Sequence, residues 1–414
     1  LSGMGQTWIA IGLGIGYAVS WIVMAPRLRR FSIAAGDSIT IPQYLTNRFL
    51  SKNKSLQILS AVIFLVAYTI YAASSIKACG TLFHTVMDVN PTVAMYIAAF
   101  IIVAYTFLGG FSAVCWTDFF QGMIMLAALL IAPLFALALA KAGDGAVAGA
   151  TLPEGFFNFF TTPQDIISGL GWGLGYFGMP HIIIRFMSLK SEKELRKSSV
   201  IGISWTTIIL IMSALTAIAG RLYLGEIEDS STVFITMVRR IFPALVSGLL
   251  LSAILSAAMS TADSQLLAAS SAFASDVYKP VIRKKASDSE MLWAGRIVVI
   301  VIAVVALMIA SDPNSGSIMG LVENAWGVFG AAFGPVILLS LFWKRLTFGG
   351  TVAGIAAGAA VDILWLVFLS STDIYEIVPG FAAGLLAAVV VSLLSKGPGK
   401  DVEDLFDRAV DLKS

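Results

Sequence analysis

The sequence predicts an all-α, polytopic membrane protein, and three observations carry that reading. Of 414 residues, 58% are hydrophobic and 13% charged, about half the charged share of a soluble domain. The apolar residues gather into eleven runs long enough to cross a bilayer. The connections between those runs alternate between basic and acidic. A net charge of +2 points to no polyanionic partner such as nucleic acid. Two cysteines, Cys79 and Cys115, and two histidines, His84 and His181, are too few and too scattered for a disulfide framework or a zinc site.

In order, the runs lie at about 6 to 25, 56 to 85, 92 to 108, 119 to 140, 164 to 184, 199 to 223, 243 to 275, 292 to 310, 319 to 342, 350 to 370 and 377 to 395. The connection 27 to 54 holds Arg27, Arg29, Arg30, Arg48, Lys52 and Lys54, whereas 142 to 163 holds Asp144 and Glu154 and no base. Lys190, Lys193, Arg196 and Lys197 follow span five, and Glu226, Glu228 and Asp229 follow span six. Basic residues return after spans seven, nine and eleven, at Lys279, Lys344 and Lys396. Odd spans are therefore expected to end in the cytoplasm, with Leu1 outside and the C-terminal tail inside. No connection has the size of a soluble domain, and the tail after 396 reads as a short charged helix at most. No GxxxxGK[ST] motif occurs, so an ion gradient rather than ATP is the expected energy source. No basic segment precedes Leu1, so no signal peptide is expected.

Span five is the informative one. Residues 169 to 180 read GLGWGLGYFGMP, with five glycines and a proline where an unbroken transmembrane helix is expected. Backbone released from a helix in hydrocarbon costs several kcal/mol per unsatisfied group, so such a segment belongs beside a polar cavity. Glycine- and proline-interrupted spans mark the substrate sites of secondary transporters, and this one carries Trp172 and Tyr176. The spacing of Gly169 with Gly173, and of Gly171 with Gly175, also serves close helix packing. Packing, however, calls for no proline.

Span seven places Ala257, Ser260, Thr261 and Ser264 on one helical face. Hydroxyls and carbonyls suit a hard monovalent cation such as sodium, and they are equally ordinary glue between helices. Asp263 beside them is a carboxylate near the bilayer centre, costing at least about 2.5 to 3.5 kcal/mol, which marks a functional position. Asp118, before span four, reads either as a functional carboxylate or as an interfacial N-cap. Lys77 reads as a snorkelling lysine. Glu323 and Asp362 are expected to be solvated at span ends, and Gly327, Gly330 and Gly334 to serve packing.

Through WTD at 116 to 118, GWGLGYFGMPH at 171 to 181, LLSAIL followed by MST at 259 to 261, and YEIVPGF at 375 to 381, the chain resembles the sodium/solute symporter family, in particular its bacterial proline-carrying members. The resemblance implies a LeuT-like fold of two inverted five-helix repeats. It divides the chain into the rest of the first repeat at 1–141, a second repeat at 164–342, two C-terminal spans at 349–396 and a cytoplasmic tail at 397–414. The family has about thirteen spans, so its first two, including a partner broken helix, are expected to be absent from these residues.

Residue by residue, the resemblance implies sodium ligands at Ala257, Ser260 and Thr261, and a possible second sodium or coupling site at Asp118, Asp263 and Ser264. It implies substrate contacts at Trp172, Tyr176, Pro180 and Tyr71. The implied activity is sodium-driven symport of L-proline across the plasma membrane, without enzymatic chemistry or an obligate protein partner. Other small solutes (pantothenate, a sugar, sialic acid) and a solute-sensing membrane module remain alternatives.

Overall fold

The computed structural model describes residues 3–143 and 154–412. Leu1 and Asp144 lie outside the described residues. Among these the architecture is all-helical. Helix α1 (Thr7–Val19) passes through a π turn at Ser20–Met24 into α2 (Ala25–Ala34), and α3 (Ile41–Arg48) follows, capped by Thr40, whose hydroxyl accepts from the Gln43 amide. Next come α4 (Ser55–Met87) and α5 (Pro91–Lys141). The fifth apolar run is not one helix but three pieces: α6 (Pro163–Gly171), a 3-10 stretch Trp172–Phe177, and α7 (Pro180–Met187). Then follow α8 (Glu192–Leu224), α9 (Val233–Ile241) and α10 (Ala244–Ala272), the last extended by a π segment to Ile282. Helices α11 (Asp288–Ser311), α12 (Ile318–Phe342), α13 (Phe348–Phe368), α14 (Ile377–Leu394) and α15 (Lys400–Asp411) complete the chain.

Ten helical segments are long and apolar enough to cross a membrane, and they match ten of the eleven expected runs. The remaining run is the interrupted one. The helical backbone of α5 is continuous, yet it supplies two of these segments, Pro91–Leu108 and Val114–Lys141. Tyr105 contacts Asp263 of α10, and Asp118 contacts Ser264, the next residue. Ala98 likewise packs with Ala258, while Ala128 and Ala132 pack in a cluster with Leu250 and Ala253. Residues on both sides of 109–113 thus pack against α10.

Helix α12 is the axis of the core. Phe329, Phe333, Val336, Ile337 and Leu341 have no exposed surface, and Phe64 of α4 packs edge-on against Phe329 and Phe333. Residues pointing outward are as apolar as the core, with Phe100, Leu108, Leu245 and Leu394 each at least three-quarters exposed. That face suits lipid.

At the end of the molecule that carries the basic connections, α15 is docked by arginines. Arg48 is fully buried: its guanidinium donates to Ser340 O at 3.4 Å and Val402 O at 3.2 Å, and lies 5.1 Å from the Phe406 ring centroid. Arg30 donates to Val410 O at 3.0 Å, and Lys344 pairs with Asp407 at 2.6 Å. Burial pushes the Tyr44 phenol beside Arg48 up to about 12. The tail is thus a seated amphipathic helix.

The glycines of α1 let the broken span approach it backbone to backbone. A Cβ on Gly173 would collide with Gly12 O, and one on Gly16 with Gly173 O. Gly173→Val should therefore reduce the yield of monodisperse protein in detergent to a small fraction of wild type. Gly248→Val, where nothing lies within 4 Å, should leave it unchanged; equal yields from both variants would contradict this packing.

Candidate functional site

The break in span five follows from its sequence. Thr162 and Asp165 form a capping box that starts α6. Pro163 occupies its first turn, and the glycines after Ile167 weaken helix continuation. The chain then tightens into the 3-10 stretch, where the amides of Gly178 and Met179 both reach Gly175 O, at 3.0 and 2.9 Å. Pro180, lacking an amide hydrogen, restarts the helix at the first turn of α7.

Around this stretch stands an aromatic cluster. Trp172 and Tyr176 are both buried, at 5% and 9% exposure. The Trp326 indole of α12 donates to Trp172 O at 2.8 Å, supplying a partner for a carbonyl freed by the break. Tyr375 lies 5.1 Å from the Trp172 ring at an interplanar angle of 36°. Tyr176 meets Tyr17 of α1 and Trp326 edge-on, each at 5.0 Å between centroids. Tyr71 of α4 packs at the half-buried rim of the same core, and so does Met259 of α10. Trp172, Tyr176 and Tyr71 thus share the main core, and Pro180 is buried at the start of α7. Tyr17, Trp326 and Tyr375 complete the aromatic cluster, and only the YEIVPGF match hinted at any of the three.

Gly169 and Gly173 face α1, while Gly171 and Gly175 face Val378 of α14 and Trp326 of α12. The two glycine pairs serve packing as well as the break. Gly330 and Gly334 do the same, meeting Ile377 and Phe381 of α14.

On α10, Ala257, Ser260, Thr261 and Ser264 form a half-buried stripe, and Ser260 Oγ donates to Ala257 O at 3.2 Å. Ala257 also lines an open, mostly apolar groove with Met125, Ser213, Thr216 and Ile254. No ring contact or hydrogen bond joins Ser260 or Thr261 to the aromatic cluster among the described residues. Nor is any group of three or more His, Cys, Asp or Glu there arranged to hold a metal ion. A cation on this face would rest on hydroxyl and carbonyl oxygens.

The carboxylates expected to act with this stripe do come together. Asp263 is fully buried and accepts from the Tyr105 hydroxyl at 2.6 Å through Oδ2, while its Oδ1 has no partner. Asp118 accepts from Ser264 Oγ at 3.1 Å and lies 3.7 Å from the largely exposed Arg185 guanidinium. The N-cap reading of Asp118 fails, because it lies inside α5 rather than at a helix start. Tyr105 was not visible as a site residue in the sequence; only the packing of α5 on α10 brings it to Asp263.

Lys77 reaches the loop at Ser315 and Gly316, as a snorkelling side chain would. Asp362 departs from expectation. It has no exposed surface, because α12 and α14 close over it through Gly327 and Gly380.

A family profile described as "Sodium:solute symporter family" matches residues 1–358. The chain is 42% identical over 420 residues to the high-affinity proline transporter PutP of Bacillus subtilis (strain 168), covering 100% of this chain and 89% of that protein. It is 44% identical over 430 residues to the sodium/proline symporter of Haemophilus influenzae, covering 99% and 85%. Among solved structures it superposes on a substrate-bound, outward-open Na+-coupled sialic acid symporter with a TM-score of 0.69 at 18% identity, over 96% of this chain and 91% of that one. With MhsT in complex with L-phenylalanine the TM-score is 0.58 at 13% identity, over 95% of each chain. At such identities the likeness is one of fold, and the fold is LeuT-like.

The Tyr105–Asp263 bond carries a testable cost. Tyr105→Phe leaves a fully buried carboxylate without its donor, and leaving such a group unsatisfied costs about 1–3 kcal/mol. Unfolding in detergent should shift to lower temperature accordingly. In a Tyr105→Phe/Asp263→Asn double variant the shift should be smaller than in Tyr105→Phe alone; additive losses would show that the two side chains do not act on each other.

Proposed function

This chain belongs to the sodium:solute symporter family, and from that premise we propose that it carries L-proline into the cell together with Na+ by alternating access. The supporting observation is the match of the whole chain to proline transporters at 42 to 44% identity. The interrupted span, with aromatic side chains on both sides, agrees with it. Proline is small and zwitterionic with an apolar ring, so aromatic faces beside freed backbone groups suit it. A sugar would call for several amide and carboxylate side chains, and GLGWGLGYFGMP has none.

In this reading Trp172, Tyr176, Pro180 and Tyr71 bind the substrate. Ala257 O, Ser260 and Thr261 hold the coupling sodium, and Asp118, Asp263 and Ser264 form a second coupling site. Entry of one positive charge is worth about 2.3 kcal/mol per 100 mV. A tenfold sodium gradient adds about 1.4 kcal/mol, so one ion sustains roughly a five-hundredfold gradient of a neutral solute. The chain is read as two repeats, 1–141 and 164–342, followed by two further spans at 349–396 and a cytoplasmic tail.

In proteoliposomes holding the protein, uptake of labelled L-proline should require Na+, and unlabelled proline should compete far better than pantothenate, glucose or sialic acid. Trp172→Ala or Tyr176→Ala should raise the KM for proline severalfold, and Ser260→Ala or Thr261→Ala the Na+ concentration at half-maximal rate. Another solute competing in place of proline would refute the substrate, and unchanged Na+ dependence in both hydroxyl variants would refute the ion ligands.

Orientation rests on the basic connections. Cysteines introduced at Ser51 and Ser287 should be shielded from an impermeant thiol reagent in intact cells, while one at Ser230 should react. The opposite pattern would invert the topology and place α15 outside.

A further inference from the structure

At the end of the bundle opposite α15, the helices next to the broken span bury two carboxyl groups with no counter-charge. Asp362 of α13 has no exposed surface, and neither of its carboxylate oxygens has a hydrogen-bond partner. Glu376, leading into α14, is 7% exposed, and its Oε1 is likewise unpartnered. Both face the same notch, where α12 has only a glycine. A Cβ on Gly327 would lie 2.9 Å from Asp362 Oδ1 and 3.4 Å from Glu376 Cγ.

The other groups around the pair are Glu323 of α12, the Tyr375 hydroxyl, which donates to Glu323 O at 2.9 Å, and Tyr71 of α4. Among the described residues no lysine, arginine or histidine forms an ion pair with Glu323, Asp362 or Glu376. Lys77, also on α4, is engaged by Ser315 and Gly316 instead.

Two buried carboxylates without a base cannot both stay charged and bare, since an isolated ionised group in a medium of low dielectric costs far more than one hydrogen bond returns. Neutralising both takes two positive charges, either two protons or one proton and a bound monovalent cation. Three carboxylate oxygens around a glycine notch lack a hydrogen-bond partner, and unpaired carboxylate oxygens are the donors a hard cation takes.

We propose that Asp362 and Glu376 bind a monovalent cation, Na+, at a site separate from the α10 stripe. The site adjoins the candidate substrate region. Glu376 follows Tyr375, which lies against Trp172, and Gly327 follows Trp326, which donates to Trp172 O. An ion drawing Asp362 and Glu376 together would hold α13 and the start of α14 against α12 beside the broken span. Protons compete for the same oxygens.

Binding of radiolabelled Na+ to the purified protein tests this. Asp362→Asn, close to isosteric, should lower the Na+ bound at saturation by one ion per protein at about pH 8, and Glu376→Gln should do the same. The ion so lost should be the one that wild type releases when the pH falls from about 8 to about 6. Gly327→Ala, which displaces the carboxylate without removing charge, should weaken that ion's affinity at least severalfold, and it decides the matter if the other variants fail to fold. Unchanged Na+ stoichiometry in Asp362→Asn, or unchanged affinity in Gly327→Ala, would overturn the site and leave the pair merely protonated. Proline uptake is not the readout, so failure of the substrate assignment would appear separately.

Discussion

Backbone freed from a helix inside hydrocarbon has to find its partners within the protein, and the rest of this structure is arranged around that need. The 3-10 stretch Trp172–Phe177 meets it partly by itself, through the bonds that gather on Gly175 O, and partly through the Trp326 indole on Trp172 O. Both solutions demand close approach. Gly12 and Gly16 of α1 open one side, and Gly330 of α12 comes against Gly175 on the other. The glycines thus lie on three elements rather than one, because each interface with the break lacks room for a Cβ.

That arrangement explains why α12 is the most buried of the spans. It supports the break through Trp326, packs its aromatic residues against α4, and presents Gly327 to the Asp362 and Glu376 carboxyl groups. One helix therefore touches both an uncharged aromatic region and an uncompensated acidic one.

On the other side, α10 is held by α5. Tyr105 and Asp118, thirteen positions apart in the chain, grip the consecutive residues Asp263 and Ser264. The α10 stripe is half-buried, with Ala257 in a groove shared with α5 and α8 and Ser264 bonded to the Asp118 carboxylate.

Composition and periodicity were enough to determine the all-helical membrane architecture, ten of its spans and the location of the break. Each of those follows from local rules: apolar run length against bilayer thickness, and glycine with proline against helix continuity. The stripe on α10 was legible for the same reason, since its spacing is that of one helical face. Tertiary structure alone decided which distant residues share an environment. The family resemblance had already grouped Asp118 with Asp263 and Ser264, but nothing near Tyr105 foretold Asp263, and the position of Asp362 close to a span end pointed to water rather than to complete burial. Burial and pairing depend on how helices far apart in sequence lie against one another, and in a membrane, where core and lipid face are equally apolar, hydrophobicity carries no record of which side of a helix turns inward.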